Sequence, residues 1–398
     1  MRMKVTPGTR PLDRRTVVAG LAASTAASLF PIPTLGQGTA LRVGALLPLT
    51  GGLDRHAAQM RLGLDTAADA VNGSGGVLGR PIEIVYADTG TTPRGLAETC
   101  ARLVREENVA AAIGPFIAAG RKTAARAFGE LGVPVVSATN NEGLFCADNF
   151  FSVGPTPNQD IFSLVRHLDG GTGRSYFLIG TYSSWQLSSF RQAILKVIYG
   201  FNGSVTGQAL TPIEEQKFRP IIRWIADTGA DTVLFCVPRV PGVHFVHQAR
   251  ELGLLERIKF GWVGFNEMHA HQLPAAEASQ VATVSPFVAS DTEGGVPDLV
   301  ARMNRLGGGD VPATYYAYTH YLALAAVAAA AERSGEAHAP AVLDGLKGLT
   351  FDSATGPVTI DAESHHAHLG IVAARGSGSN LEIVERLGVI APEPGCSA

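Results

Sequence analysis

The sequence is poor in cysteine and in charged residues, and it lacks the short motifs that mark common enzyme sites. Its four cysteines show no CxxC pair and no other spacing typical of a metal site. There is no GxSxG elbow, no GxGxxG after a strand, no Walker-type loop and no HExxH. We therefore expect neither an enzyme nor a cofactor, although a Ser–His–Asp arrangement assembled by the fold leaves no mark in a sequence. The cysteine pairing cannot be deduced, and we expect scattered buried thiols at Cys100, Cys146, Cys236 and Cys396.

The charge balance and the length limit the partners and the number of domains. The formal net charge is −3, which gives no reason to expect nucleic acid or an anionic membrane surface as a partner. The chain is 46% hydrophobic and 17% charged, so it can bury a sizeable core. At 398 residues it is too long for one ordinary domain, and two or three are expected.

Residues 1–40 have the composition of an export signal. Arg14-Arg15 stand before a modest apolar stretch, Val17 to Phe30, which is too short to span a bilayer as a stable helix. This arrangement resembles a twin-arginine signal, and an ordinary secretory signal is the alternative. We expect cleavage near residues 36–40. Because no cysteine precedes the mature start, we expect no lipid anchor.

Strand and helix patterns alternate along the rest of the chain. The apolar run Val109 to Ile113, the helical spacing of Ala118 to Leu131 and the run Val133 to Ser137 predict a parallel βαβ unit. The same alternation precedes this unit and restarts beyond residue 158, which predicts two α/β lobes with mostly parallel sheets. Open parallel sheets bind ligands beyond the carboxyl ends of their strands, so the loops at those ends are the first places to look. The Ala-rich run Tyr315 to Glu332 is interpreted as a buried core helix and not as a membrane span.

Several motifs carry a resemblance to a known family. The stretch from Asn72 to Ile82, NGSGGVLGRPI, followed by Asp88, resembles the signature of the leucine-type periplasmic binding proteins, the substrate-binding components of bacterial ABC importers. Its glycines suit a helix stop and a turn that leads into a strand. Other motifs resemble the branch of urea-binding and short-chain-amide-binding proteins: Arg121-Lys122, Asn141-Glu142-Gly143, Gly154-Pro155-Thr156-Pro157-Asn158-Gln159, Gly356-Pro357-Val358-Thr359-Ile360 and His365-His366.

The resemblance implies the type I periplasmic binding fold, in which two doubly wound Rossmann-like α/β lobes are joined by a three-crossing hinge. We expect the crossings near Pro155, Pro286 and Leu349. The implied partners are a small polar ligand in the inter-lobe cleft and an ABC permease in the inner membrane, and the protein is expected to be a periplasmic monomer. The implied bounds are residues 40–155 plus 287–348 for the first lobe and 156–286 plus 349–398 for the second.

The resemblance also implies which residues contact the ligand. The free N–H groups of the helix after Gly114 would face the cleft and favour a carboxylate or carbonyl oxygen. Amino-acid binders commonly carry a hydroxyl where this chain has Ala118, whereas their Thr is retained at Thr139. In the amide and urea binders, aromatic residues align with four positions, of which two keep a ring (Phe116 and Trp185) and two do not (Ser137 and Ser183). The pocket therefore copies neither group, and plain α-amino acids are expected to bind weakly.

The remaining candidates have competing interpretations. Thr139 and Asn140 either hydrogen-bond a carbonyl or amide of the ligand or only cap the next turn. Trp185 is either a stacking wall or hinge packing. Glu267 follows a predicted strand where amino-acid binders often carry an acid for the ligand ammonium, and a solvated loop carboxylate is the alternative. Asp54, in the first strand-end loop, is a weaker candidate of the same kind.

Two histidine groups raise the question of a metal site. His365-His366-x-His368 and His269-x-His271 are clustered enough to suggest one. However, His365 and His366 point to opposite faces of a strand, no acidic partner is spaced with them, and the resemblance places this stretch beside a hairpin remote from the cleft. We expect no metal site.

These observations predict an exported solute-binding protein that closes around its ligand by hinge motion. The expected ligand is urea, a short amide or a small amino-acid-like compound. One alternative is a ligand-sensing regulator of the amide-sensor type that controls a protein partner. A second alternative is an enzyme on a two-lobed α/β scaffold.

Overall fold

Fourteen strands form two sheets in the part of the chain that the structure describes. The structure is a computed structural model that describes residues 39–90, 94–170, 174–182, 190–191, 198–212, 214–237, 240–309 and 311–396. Its strands are β1 (Leu41–Leu47), β2 (Ile82–Asp88), β3 (Ala111–Ile113), β4 (Val135–Ser137), β5 (Phe150–Ser152), β6 (Ser175–Thr181), β7 (Ser204–Thr211), β8 (Thr232–Cys236), β9 (Lys259–Trp262), β10 (Val281–Ser285), β11 (Thr350–Phe351), β12 (Val358–Ile360), β13 (Ala367–Ser377) and β14 (Asn380–Ile390).

Helices connect these strands at the lengths expected for parallel crossovers. Tyr199–Phe201 forms a 3₁₀ turn. The α-helices of the described residues are α1 (Asp54–Gly73), α2 (Leu96–Arg105), α3 (Ala118–Gly129), α4 (Ile161–Asp169), α5 (Arg219–Thr228), α6 (Val240–Glu251), α7 (Glu267–Ala270), α8 (Ala275–Ala278), α9 (Val296–Gly307), α10 (Tyr315–Ser334) and α11 (Ala339–Leu346).

The first sheet has the order β2-β1-β3-β4-β5, and every pair in it is parallel. Its three short strands β3, β4 and β5 are buried along their whole length, as expected for strands covered by helices on both faces. Because all strands run the same way, their carboxyl ends meet at one edge. We call the part of the protein built around this sheet the first lobe.

The second sheet has the order β11-β12-β13-β10-β9-β8-β6-β7, with β14 paired to β13. Strands β6 to β10 are parallel to their neighbours within this group, whereas β13 pairs antiparallel with β10, β12 and β14. This sheet is the centre of the second lobe. The predicted α/β fold with two lobes and mostly parallel sheets is therefore confirmed.

The Ala-rich helix α10 lies in the core of the first lobe. Helix α11 packs on α10, and α9 packs on α1. Although α10 comes late in the chain, it packs along α1. The two helices approach so closely that a Cβ added at Gly63 would lie 1.9 Å from the carbonyl oxygen of Ala317. No helix within the described ranges has the length and apolarity of a membrane span.

The chain moves between the lobes at three places. It leaves the first sheet after Ser152, and α4 then packs on β9 and β10 of the second sheet. After Ser285 it returns to α9 and α10 of the first lobe. It enters the second sheet again at Thr350.

Some predicted elements differ from the observed ones. The βαβ unit predicted at Val109 to Ser137 is observed as β3, α3 and β4, each within its predicted bounds, whereas β5 was not predicted. Helix α4 begins at Ile161 and not after Asn158, although an Asn side chain can also cap a helix. Asp160 caps it by accepting from the backbone N–H of Ile161, because the Asn158 amide instead donates to the carbonyl oxygen of Ala391 at 2.7 Å.

The expectation of scattered thiols is wrong for two of the four cysteines. Cys146 and Cys396 form a disulfide with a Cα–Cα distance of 5.9 Å, while Cys100 and Cys236 are buried and form no disulfide among the described residues. The bond fastens the segment after β14, which belongs to the second sheet, to the loop after β4 of the first sheet. Sequence spacing gave no sign of it, because the two cysteines are 250 positions apart.

Candidate functional site

A cavity of about 280 Å³ lies between loops of the two lobes. The loops that form it follow β1 in the first lobe and β7, β8 and β9 in the second, so they stand at the carboxyl ends of parallel strands, where ligands of open α/β sheets bind. The first lobe contributes Gly52, Asp54, Arg55 and His56, and the second contributes Glu214, Pro241, Met268, His269 and Gln272.

The loop after β1 is held by the acid at the end of the neighbouring strand. Asp88 accepts hydrogen bonds from the backbone N–H of Leu49 at 2.9 Å and of Thr50 at 3.2 Å, and from the Thr50 hydroxyl at 2.6 Å. Thus the Asp88 of the predicted motif fixes the turn that leads into α1, whose first residues line the cavity.

The wall from the first lobe is built around His56. Its ring lies 5.7 Å from that of Phe116 and 5.4 Å from that of Tyr316, and the latter two rings are 5.9 Å apart. His56 is only 2% exposed. The predicted residue Phe116 therefore packs against a cavity residue, but it is not itself among the residues that line the cavity.

The wall from the second lobe is the short helix α7 after β9. Asn266 caps this helix by accepting from the backbone N–H of Met268 at 3.0 Å, and its own backbone N–H donates to Nδ1 of His269 at 3.3 Å. The imidazole of His269 packs on Trp262, with ring centroids 4.6 Å apart, and on Phe265, at 6.0 Å. This local capping box fixes the ring of His269 at the cavity.

His269 is neutral in the folded protein. Burial lowers its pKa to about 3, and the neighbouring His56 lowers it further in the same direction. Since Nδ1 accepts a hydrogen bond, the single proton of the neutral ring is on Nε2. This Nε2 is buried and has no hydrogen-bond partner among the described residues.

Glu267 is next to His269 in the chain but does not line the cavity. Its carboxyl oxygen Oε1 accepts from the backbone N–H of Ala289 at 2.8 Å. Burial raises the pKa of Glu267 to about 7. Glu267 is therefore buried, and it is not the solvated loop carboxylate that the sequence left as an alternative.

Thr139 and Asn140 are engaged inside the protein. The buried guanidinium of Arg121 donates to the Thr139 hydroxyl at 3.1 Å and to the Asn140 carbonyl oxygen. The Asn140 amide donates to Asp160 at 2.7 Å and accepts from the Tyr315 hydroxyl at 3.1 Å. These contacts link the loop after β4 to the start of α4 and to α10, so both side chains bond to other elements and not within the next turn.

The other predicted residues are placed as follows. Asp54 is exposed and lines the cavity. Ala118 begins α3 and is half-buried, while Ser137 ends β4 and is fully buried. Neither lines the cavity. Ser183 and Trp185 lie outside the described residues, as does the predicted export signal.

Sequence reasoning missed the residues that form the inner wall. His56 follows the candidate Asp54 by two positions, and His269 was considered only as a metal ligand. The available signal for His269 was an Asn three positions before it, since that spacing is typical of a helix N-terminus with reciprocal capping.

The second histidine group lies at the start of β13, which forms a hairpin with β14, and it packs against β5 of the first sheet. The ring of His365 stacks on Phe151 of β5 at 4.4 Å, and its carbonyl oxygen accepts from the backbone N–H of Ser152. His366 forms an isolated bridge with Ser152. Over the described residues, no group of three or more His, Cys, Asp and Glu side chains has the arrangement of a metal site.

Comparisons with known proteins agree with this architecture. The profile of one family, described as periplasmic binding protein, matches residues 40–379. The chemotactic signal transduction system substrate-binding protein BasB of Halobacterium salinarum is 37% identical over 82 residues, which are 20% of each chain. The present chain thus matches only about a fifth of the length of that relative. The Leu/Ile/Val-binding protein BraC3 of Rhizobium johnstonii is 24% identical over 329 residues, 80% of this chain and 87% of that protein.

A solved structure shares the fold. The solute binding protein of an ABC transporter from Rhodopseudomonas palustris BisB5, in complex with 3,4-dihydroxybenzoic acid, superposes with a TM-score of 0.79 at 17% identity and covers 89% of this chain and 98% of that one. None of these three proteins is a urea or amide binder by name. Because the family profile matches most of the chain and the two-lobed α/β fold agrees with it, the chain belongs to the periplasmic binding protein family, with the type I fold of its leucine-type members.

Proposed function

We propose that this protein binds a small polar solute between its lobes by hinge closure and delivers it to an ABC permease in the inner membrane. One observation carries the proposal: a cavity is lined from both lobes by the loops at the strand ends, with His56 on one wall and His269 on the other. A ligand that contacts both walls stabilises the closed arrangement through contacts that an open one lacks.

The lobe bounds belong to the same proposal. We assign residues 40–155 and 287–348 to the first lobe and 156–286 and 349–398 to the second. The composition of the two sheets and the packing of α10 on α1 support this division.

The size and lining of the cavity limit the ligand. At about 280 Å³ the cavity lies just below the range of roughly 300–1,000 Å³ of sites for drug-sized molecules, so the solute is small. Urea, short amides and amino-acid-like compounds fit this limit, and so do small carboxylic acids. The names of the relatives support the last two classes, since branched-chain amino acids and 3,4-dihydroxybenzoic acid both carry a carboxyl group.

The role is one of binding in the periplasm and not of catalysis. The three compared proteins are named as substrate-, solute- or Leu/Ile/Val-binding proteins, which supports this part of the proposal. Export by the twin-arginine route is the corresponding proposal for residues 1–40.

The proposal is tested by thermal unfolding of the purified protein against a panel of urea, amides, amino acids and small carboxylic acids. A solute that binds only the folded state stabilises it by about 2.7 kcal/mol at a hundredfold excess over Kd. A bulky variant in the cavity, Gln272→Trp, should lose this shift. The matched control Gln280→Trp, at an exposed position outside the cavity, should keep it.

Two results would contradict the proposal. One is a panel without any shift, together with mass spectrometry of the denatured protein that finds no solute retained from the cell. The other is a shift that Gln272→Trp leaves unchanged, because the solute then binds elsewhere. Turnover of a bound solute would contradict the non-catalytic role.

A further inference from the structure

We propose that His269 selects the solute by donating a hydrogen bond from its Nε2–H to a carbonyl-type oxygen, of a carboxylate or an amide, and that it disfavours a protonated amine at that place. This inference rests on the proposed function, because it assigns a ligand contact within the same cavity. It names a binding residue that the family resemblance did not indicate.

The position of the proton on His269 follows from the hydrogen bonds around it. The backbone N–H of Asn266 points at Nδ1, so this nitrogen carries the lone pair. The same Asn266 is fixed by capping α7, and the ring cannot turn over without breaking that reciprocal pair. The ring therefore presents a donor, and not an acceptor, at Nε2.

This donor is buried and lacks an acceptor. His269 is 2% exposed, and its Nε2 has no partner among the described residues although the residue lines the cavity. A buried polar group without a hydrogen bond is costly, and such groups in native proteins are normally satisfied. A solute oxygen in the cavity supplies the missing acceptor.

The surroundings define what else the solute meets. The rings of Trp262 and Phe265 support the imidazole from behind, which holds the donor in one direction. Asp54, Arg55 and Glu214 line the cavity at exposed positions, whereas His56 and His269 are buried. An ammonium group at the inner wall would face a hydrogen-bond donor, while an oxygen acceptor there is complementary to it.

The test uses two sets of shape-matched probes and calorimetry. The aromatic set is benzoate, benzamide and benzylamine, and the aliphatic set is isovalerate, isovaleramide and isoamylamine. We expect binding of the carboxylate or the amide of at least one set, and binding of its amine at least tenfold weaker. Equal binding of an amine, or binding of none of the six when another class of solute shifts the melting temperature, overturns this inference but leaves the proposed function standing.

Variants separate the donor from the ring. His269→Phe keeps the aromatic packing and removes the donor, so it should weaken binding by about 10- to 100-fold, as expected for a lost hydrogen bond to a charged or strongly polar group. His269→Gln keeps a donor and should retain most of the affinity. His271→Phe, an exposed histidine two positions further that does not line the cavity, is the control and should bind as the original protein does.

Binding by His269→Phe within twofold of the original protein overturns the inference. If that variant fails to fold, ¹⁵N NMR of the unsubstituted protein decides: the ring of His269 should be the Nε2–H tautomer, and its Nε2 resonance should shift when the solute binds. An Nδ1–H tautomer, or no shift on binding, overturns the inference equally.

Discussion

Removing the disulfide between Cys146 and Cys396 should destabilise the folded protein strongly. The bond closes a loop between residues 250 positions apart, and it joins a segment attached to the second sheet to a loop of the first. A crosslink of this kind restricts the unfolded chain more than it restricts the folded one, where the two residues are already neighbours.

The magnitude follows from the length of the closed loop. The chain-entropy relation gives about 5 kcal/mol at 25 °C for a loop of this size, and measured losses for native disulfides are about 2–5 kcal/mol. The hydrogen bonds of the same segment persist without the bond: the Asn158 side chain donates to Ala391 and accepts from the backbone N–H of Glu393 at 2.9 Å. We therefore expect a loss of about 2–5 kcal/mol in the free energy of unfolding with the native fold retained.

The measurement is urea unfolding of the original protein and of Cys396→Ala, each with and without a reducing agent. Reduction should lower the midpoint of the original protein to that of the variant, and it should leave the variant unchanged. Equal midpoints for the oxidised and reduced original protein would refute the reasoning. So would a further loss in Cys396→Ala on reduction, since that would mean that another bond carries the effect.

Two further predictions concern the core and the pH dependence. Gly63→Ala should lower the free energy of unfolding by about 1–3 kcal/mol, measured by thermal unfolding, because the added Cβ meets the backbone of α10. Gly73→Ala in the same helix, where the space is open, is the control and should not destabilise the protein. Equal effects of the two substitutions would contradict the close packing. The folded-state pKa of Glu267, about 7, is raised above its ordinary value of 4.5, so this group stabilises the fold at low pH and loses that contribution as pH rises through about 7. The free energy of unfolding of Glu267→Gln should therefore fall less between pH 5 and 8 than that of the original protein, by on the order of 3 kcal/mol; identical pH profiles would contradict the assignment. Burial also raises the pKa of Asp160 to about 7. Its contribution to the pH dependence is the same in both proteins and therefore cancels in the comparison.

Much of the fold was predictable because parallel strands leave a strong signal. A strand covered on both faces is a short apolar run with turn residues after it, and Leu41 to Leu47 meets this description fully. Phe150 to Ser152 does not, since three residues are too few to show a period. The place of α10 in the first lobe came from the family resemblance and not from local pattern.

The site was less predictable because its walls come from distant parts of the chain. Asp54 lines the cavity as the first residue of α1, directly after the first strand-end loop, a position that the fold class alone suggests. His269 has no local feature that points to a ligand. Its assignment as a binding residue depends on the burial of Nε2 and on the position of His56, which comes from the other lobe. Thr139 matched the family pattern, yet in the fold its hydroxyl accepts from Arg121, and the amide of the neighbouring Asn140 donates to Asp160.

Each wall of the cavity is held by hydrogen bonds within its own lobe. Asp88 fixes the loop before His56 in the first lobe, and Asn266 fixes His269 in the second. Neither set of bonds crosses the cleft, so a rotation of one lobe against the other changes the distance between the two imidazoles without disturbing either wall. Closing the cleft therefore needs no rearrangement of the binding groups, and most of the ordering that a ligand requires is already present before it arrives. For this reason we expect substitutions at Asp88 or Asn266, which touch no solute, to weaken binding by loosening a wall while leaving the two sheets folded.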